Sequence, residues 1–162
     1  MLGPHDAKLV KGTTKRDAPV VGKVFTIGYE GRNVDELVHE LIANGIEQII
    51  DVRQNAFSRK PGFSKTMLFA NLQKNGISYH HIPELGSPRD IRRRHNESGS
   101  AAAFMDEYGA YLDTRPEAYQ RLKGLALSRT SALLCFERDH TDCHRSILAE
   151  RLSGDGFQVV HI

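Results

Sequence analysis

The sequence predicts one α/β domain: a three-layer, Rossmann-like fold with a mostly parallel sheet of about five strands flanked by helices. Three observations lead there. Short runs rich in β-branched residues alternate with stretches of helical periodicity. The run Ser131 to Phe136 (SALLCF) is continuously apolar, as in a strand buried on both faces. The unusual polar clusters all fall just after predicted strands, where parallel sheets hold their ligands.

The elements follow in order. Residues 1–22 are polar and carry Lys8, Lys11, Lys15 and Arg16, which predicts a flexible basic tail ahead of a single domain over residues 23–162. Lys23 to Gly28 (KVFTIG) reads as the first strand. Asn33 with Glu36 forms a capping box, Val34, Leu37, Val38, Leu41 and Ile42 recur at helical spacing, and Gly45 stops the helix. Ile46 to Val52 is the second strand, residues 53–64 a basic loop, Lys65 to Asn75 a helix, and Ile77 to Ile82 the third strand. Residues 83–100 read as a long charged loop, and loops of that length in a compact domain carry function. A helix is expected from Ala101 to Leu112, another from a cap at Thr114, and then the fourth strand. Asp142 is expected to cap a last helix running to Leu152, ahead of the strand Phe157 to His161.

Composition narrows the function classes. The 162 residues suffice for one sizeable core, and a net charge of +2 says little about partners. Local charge says more: Arg53, Arg59, Lys60, Lys65, Arg89, Arg92, Arg93 and Arg94 crowd the middle third, as a phosphate or nucleic-acid site requires, although a solvated basic face has the same composition. Two cysteines, Cys135 and Cys143, do not make a disulfide framework, so a reduced, cytoplasmic setting is expected. No apolar run approaches the length of a membrane span, and the N-terminus lacks the apolar stretch of a secretion signal.

Asp51 and Arg53 flank Val52 at a strand end, on one face, where they either address a ligand together or form an ion pair. Arg53, Ser58 and Arg59 could form a phosphate cradle. Cys143, His144 and Arg145 stand at a predicted helix start, where the exposed N–H groups favour a thiolate or a bound anion. Glu137 follows the central strand directly and is the strongest acid or base among Glu30, Glu84, Glu137 and Asp139. His80 and His81 point to opposite faces of their strand, and Tyr29, Tyr79 and Phe57 either stack on bases or pack. The nearest approach to a metal set is His81, Cys143 and one carboxylate. No pair has a zinc spacing, so neither a metal nor another cofactor is expected.

Taken together, Thr26 to Gly31, Asp51-Val52-Arg53 with Ser58-Arg59, Ile77 to Leu85, and Cys143-His144-Arg145 followed by a helix and Val159 to Ile162 resemble the domain-of-unknown-function 488 family, over nearly everything from Val24 onward. Leu134 to Glu137 is family-like too, with Phe136 where a smaller residue is expected. The resemblance implies an α/β fold in an intracellular, bacterial-type setting and no settled activity.

The expectation is therefore a site at the C-terminal ends of the strands that binds, and hydrolyses, a phosphate-bearing small molecule, nucleotide or nucleic acid. Arg53, Ser58, Arg59, Arg145, Tyr29 and Glu30 would bind, and Asp51, Glu137, His81 and Cys143 would carry chemistry. The alternatives are a rhodanese- or phosphatase-like thiol enzyme using Cys143, and a non-enzymatic regulatory or interaction module.

Overall fold

A computed structural model describes residues 19–162; the rest of the expected tail lies outside the described residues. The strands β1 (Gly22–Gly28), β2 (Gln48–Asp51), β3 (Ser78–His81), β4 (Ser131–Cys135) and β5 (Phe157–His161) form one sheet in the order β3-β2-β4-β1-β5. Every neighbouring pair is parallel. The helices are α1 (Val34–Ala43), α2 (Lys65–Lys74), α3 (Arg89–Ser98), α4 (Ala101–Asp113), α5 (Pro116–Ser128) and α6 (Arg145–Gly154).

Alternation along the strands sorts the core into two layers. Phe25, Ile27, Ile49, Ala132 and Leu134 pack against α1 and α2 through Leu37, Leu41, Leu68 and Leu72. Val24, Ile50, Leu133 and Cys135 face the other way, against Tyr108, Leu112, Leu122, Leu148 and Leu152 of α4, α5 and α6. β4 is central and all five of its residues are buried. The α1 capping box forms as the sequence predicts, with Asn33 Oδ1 accepting from Glu36 N at 2.8 Å and Glu36 Oε2 from Asn33 N at 2.9 Å.

Three local expectations are corrected. The stretch 83–100 is not an open loop: a short 3-10 turn at Pro83–Leu85 leads into α3. Only Ile91 of α3 is buried, so apolar periodicity had nothing to register there. Thr114 does not cap α5, which starts at Pro116; the Thr114 hydroxyl turns back to the Tyr111 carbonyl at 2.6 Å. Asp142 does not cap α6 either. Asp139 caps the turn before it, accepting from Thr141 N at 2.9 Å, and α6 begins at Arg145.

The loops after β1 and β4 are zipped together beyond the sheet. Tyr29 N donates to Cys135 O at 3.2 Å and Glu30 N to Phe136 O at 2.8 Å. Gly28 permits this approach, because a Cβ there would stand 1.8 Å from the Glu137 carbonyl oxygen. That crevice is filled by backbone, which leaves the neighbouring one, between β2 and β4, as the opening at the C-terminal edge. No helix among the described residues is long and apolar enough to cross a membrane. Gly28→Ala is expected to destabilise the fold by about 3 kcal/mol or more. Gly124→Ala, in α5 with open space around it, should gain about 0.5–1 kcal/mol. Urea unfolding of both variants checks the pair, and equal stabilities would contradict the loop packing.

Candidate functional site

Asp51 and Arg53 stand at the end of β2 on the α1/α2 side of the sheet, and they bond to each other. Arg53 Nε donates to Asp51 Oδ1 at 2.9 Å and Nη2 to Oδ2 at 2.6 Å. Arg53 Nη1 donates to the Phe63 carbonyl at 2.7 Å and to the Tyr29 hydroxyl at 3.2 Å. Asp51 also accepts from Tyr79 Oη at 2.5 Å and from Arg53 N at 3.1 Å. Asp51 is fully buried and Arg53 is 6% exposed. Burial alone would lower the Arg53 pKa, but the bonds to Asp51 and its charge hold it above its ordinary value. The pair is thus a tie between sheet and loop, the ion-pair alternative that the sequence offers for these two residues, and Arg53 lines the cavity described below as well. Every nitrogen of the Arg53 guanidinium makes a hydrogen bond, and Asp51 accepts four.

The neighbouring expectations shift with it. Tyr29 is buried, stacked on Phe63 with centroids 4.4 Å apart. Glu30 accepts from Arg138 N at 3.0 Å and so braces the loop zipper. Ser58 accepts from Lys60 N at 3.2 Å, and Arg59 is exposed beyond it. His81 Nε2 donates to the Arg53 carbonyl at 2.7 Å from edge strand β3. It lines a shallow surface cavity with His80, Tyr79 and Arg121, away from Glu137 and the cysteines.

On the α4–α6 side a second cluster forms. Cys135 ends β4, Glu137 follows two residues on, and Cys143 precedes α6. The two sulfurs are paired with each other, which the expectation of two separate reduced thiols did not anticipate. Cys135 Sγ also lies 3.4 Å from Glu137 Oε2. Arg145, 1% exposed, lies beneath: its Nη1 reaches Cys135 Sγ at 3.2 Å and the Glu137 carbonyl at 2.8 Å, and Nη2 reaches the Arg138 carbonyl at 3.2 Å. Burial lowers its pKa to about 10, partly opposed by Glu137 and Asp139. Two of its three nitrogens are bonded internally and it does not line the cavity described below, so Arg145 anchors the loop.

His144 joins the two halves. Its Nε2 donates to the Val52 carbonyl at 2.9 Å, and its Nδ1 therefore turns a lone pair toward Cys143 Sγ at 3.7 Å. Burial drives its pKa down to about 4, so the ring is neutral near pH 7. The Arg145 backbone N–H also points at Cys143 Sγ, at 3.4 Å.

Between these halves lies a cavity of about 270 Å³, bounded by Arg53, Gln54, Asn55, Cys135, Glu137 and His144. Arg92, from α3, reaches across and donates to Gln54 Oε1 at 3.4 Å. Ser87 lines the same cavity, is 3% exposed, and its hydroxyl finds no partner among the described residues. Phe57 and Phe136, 68% and 47% exposed, stand at the rim. Ser87, Gln54 and Asn55 carry no signal of their own in the sequence, whereas His144 belongs to the expected helix-start cluster and Arg92 to the basic run. Gly86-Ser87-Pro88 was a usable signal: a Cβ on Gly86 would lie 2.0 Å from Gln54 N, so this glycine brings the two loops together.

Truncating one partner of a buried ion pair leaves an uncompensated charge. Arg53→Ala is therefore expected to cost about 3–5 kcal/mol of stability. Arg59→Ala, exposed, should stay within about 0.5 kcal/mol of the wild type. Denaturant midpoints check this, and an Arg53→Ala protein as stable as the wild type would refute the tie.

No curated protein and no solved structure matches the chain. A family model does: its match runs over residues 33–152, from the cap of α1 to Leu152 in α6, and takes in both halves of the site. The chain accordingly belongs to the family described as domain of unknown function DUF488.

Proposed function

We propose that the β2–β4 cavity binds a phosphate-bearing ligand of about nucleotide size, and that Glu137 is the group placed to act on it as an acid or base. The observation that carries this reading is the orphaned hydroxyl of Ser87. A buried polar group without a partner costs about 1–3 kcal/mol, and a ligand oxygen would remove that cost. Three features support it. Ser87 stands just before α3, where the free N–H groups and the dipole favour an anion. The exposed Arg92 guanidinium is at the same end of the cavity. Phe57 and Phe136 offer faces on which a base would stack.

The volume suits a mononucleotide, or one nucleotide of a single strand, better than a duplex. Arg89, Arg92 and Arg93 are exposed along α3 and would meet a strand continuing from the cavity. Hydrolysis at a phosphoester or glycosidic bond is the reaction that a carboxylate at the cavity floor fits.

Calorimetric titration with inorganic phosphate, nucleoside 5′-monophosphates and a short single-stranded oligonucleotide tests this. Arg92→Ala should weaken binding about tenfold or more, and Ser87→Ala about fivefold. Ser87→Ala should leave stability unchanged or slightly raised, because it removes an unpaired buried group. If no probe binds at low salt, or if both variants bind as the wild type does, the reading fails.

Thiol catalysis by Cys143 has one observation in its favour, the His144 lone pair and the Arg145 N–H both aimed at its sulfur. Against it, Cys143 is 1% exposed and does not line the cavity. Fast alkylation of Cys143 by iodoacetamide in the reduced native protein would favour the thiol reading. Slow alkylation would favour the ligand reading.

A further inference from the structure

The geometry points to a second function for the floor of this cavity: we propose that, in the reduced protein, Cys135, Cys143 and Glu137 bind one soft divalent cation, Zn²⁺ above others. The two sulfurs and a Glu137 carboxylate oxygen all lie within 4.8 Å of one another. Cys135 Sγ and Glu137 Oε2 are 3.4 Å apart. A tetrahedral zinc with bonds of about 2.3 Å to sulfur and 2.0 Å to oxygen sets that edge at about 3.5 Å.

The backbone frame fits the same assignment. The Cα atoms of Cys135 and Cys143 are 7.8 Å apart, whereas disulfides usually bring them to about 4.4–6.8 Å. Two thiolates on one zinc stand about 3.8 Å from each other, which a wider frame accommodates. Each sulfur also has its own N–H donor, Arg145 Nη1 for Cys135 at 3.2 Å and Arg145 N for Cys143 at 3.4 Å. Donors of this kind stabilise the thiolate, the form that ligates, and orient it.

Charge balance gives an independent reason. Two thiolates and a carboxylate carry three negative charges, and Arg145 supplies a single positive one. A divalent cation makes the buried cluster neutral, which a site with Arg145 at 1% exposure requires. The three ligands sit on rigid parts of the fold: the end of the central strand, the turn after it and the residue before the His144 cap of α6. Because Cys135 and Glu137 also line the cavity, the fourth coordination position opens onto it and is left for water or a ligand oxygen. Ion binding stands on this cluster alone. Only the use of that fourth position rests on the ligand reading above.

The test is cobalt titration of the full-length protein, reduced with a phosphine and stripped by a chelator. Expected are thiolate-to-cobalt charge-transfer absorption and tetrahedral visible bands, saturating at about one ion per chain and bleached by added Zn²⁺. Cys135→Ser and Cys143→Ser should each lose most of the charge-transfer intensity. Glu137→Gln, half-buried and conservative, should fold as the wild type does, retain that band and bind about tenfold more weakly. Ser87→Ala should keep the cobalt spectrum, so a failure of phosphate binding and a failure of metal binding are told apart. The proposal is overturned if the reduced wild type shows no thiolate–cobalt band, or if the double cysteine variant binds cobalt equally well.

Discussion

Successive side chains on a strand point to opposite faces of the sheet, and this constraint governs everything at the functional end of the molecule. β2 sends Asp51 toward α1 and α2, while Ile50 and Val52 face α4–α6. β4 sends Leu134 one way and Cys135 the other. Residues adjacent in sequence are thereby assigned to different chemistries. Asp51, Arg53, Tyr29 and Tyr79 become one hydrogen-bonded block, and Cys135, Glu137, Cys143 and Arg145 another. What joins them is backbone: the Val52 carbonyl accepts from His144.

The same constraint explains which parts were legible in the sequence. The layers and strands were readable because they rest on periodicity: the capping box at Asn33, the apolar run of β4 and the strand Phe157–His161 all appear where the residues place them. So was the edge at which the polar clusters gather. The partition of those clusters was not, because it depends on strand order as well as alternation. Asp51 ends β2 and Glu137 follows β4, yet of the two only Glu137 lines the cavity. The helix α3 escaped because a helix held by a single buried residue, Ile91, and by Arg94 with Glu107 at 2.6 Å leaves no apolar stripe. With α3 read as loop, Ser87 and Arg92 had no fixed position.

The arginines show how little residue type says without burial. The sequence marks Arg53, Arg59 and Arg145 as anion binders because Arg53 ends a strand, Arg59 lies in the basic loop after it and Arg145 opens a helix. Two of them are the wrong kind of available: their guanidinium groups are spent on Asp51, Phe63 and Tyr29, or on Cys135 and the 137–138 carbonyls. Arg92, one member of the basic run, is the exposed arginine that lines the cavity beside the buried Arg53.

Arg145 is the largest fully buried side chain of the described residues, and its position bears on why the site has this form. Burying a guanidinium costs several kcal/mol unless its donors are met by well-placed acceptors. Here the acceptors are one sulfur and two consecutive carbonyls, a set spread over a planar fork that a lysine ammonium could not span. Those carbonyls belong to Glu137 and Arg138, in the loop that packs on Gly28 and pairs with Tyr29 and Glu30. The arginine thus fixes the loop from below while the zipper fixes it from the side. Glu137, between the two restraints, is held with Oε2 beside Cys135 Sγ and lines the cavity. A loop free to move would spare the protein a buried charge but could not keep a carboxylate and two sulfurs in register, and the proposed cation site needs that register.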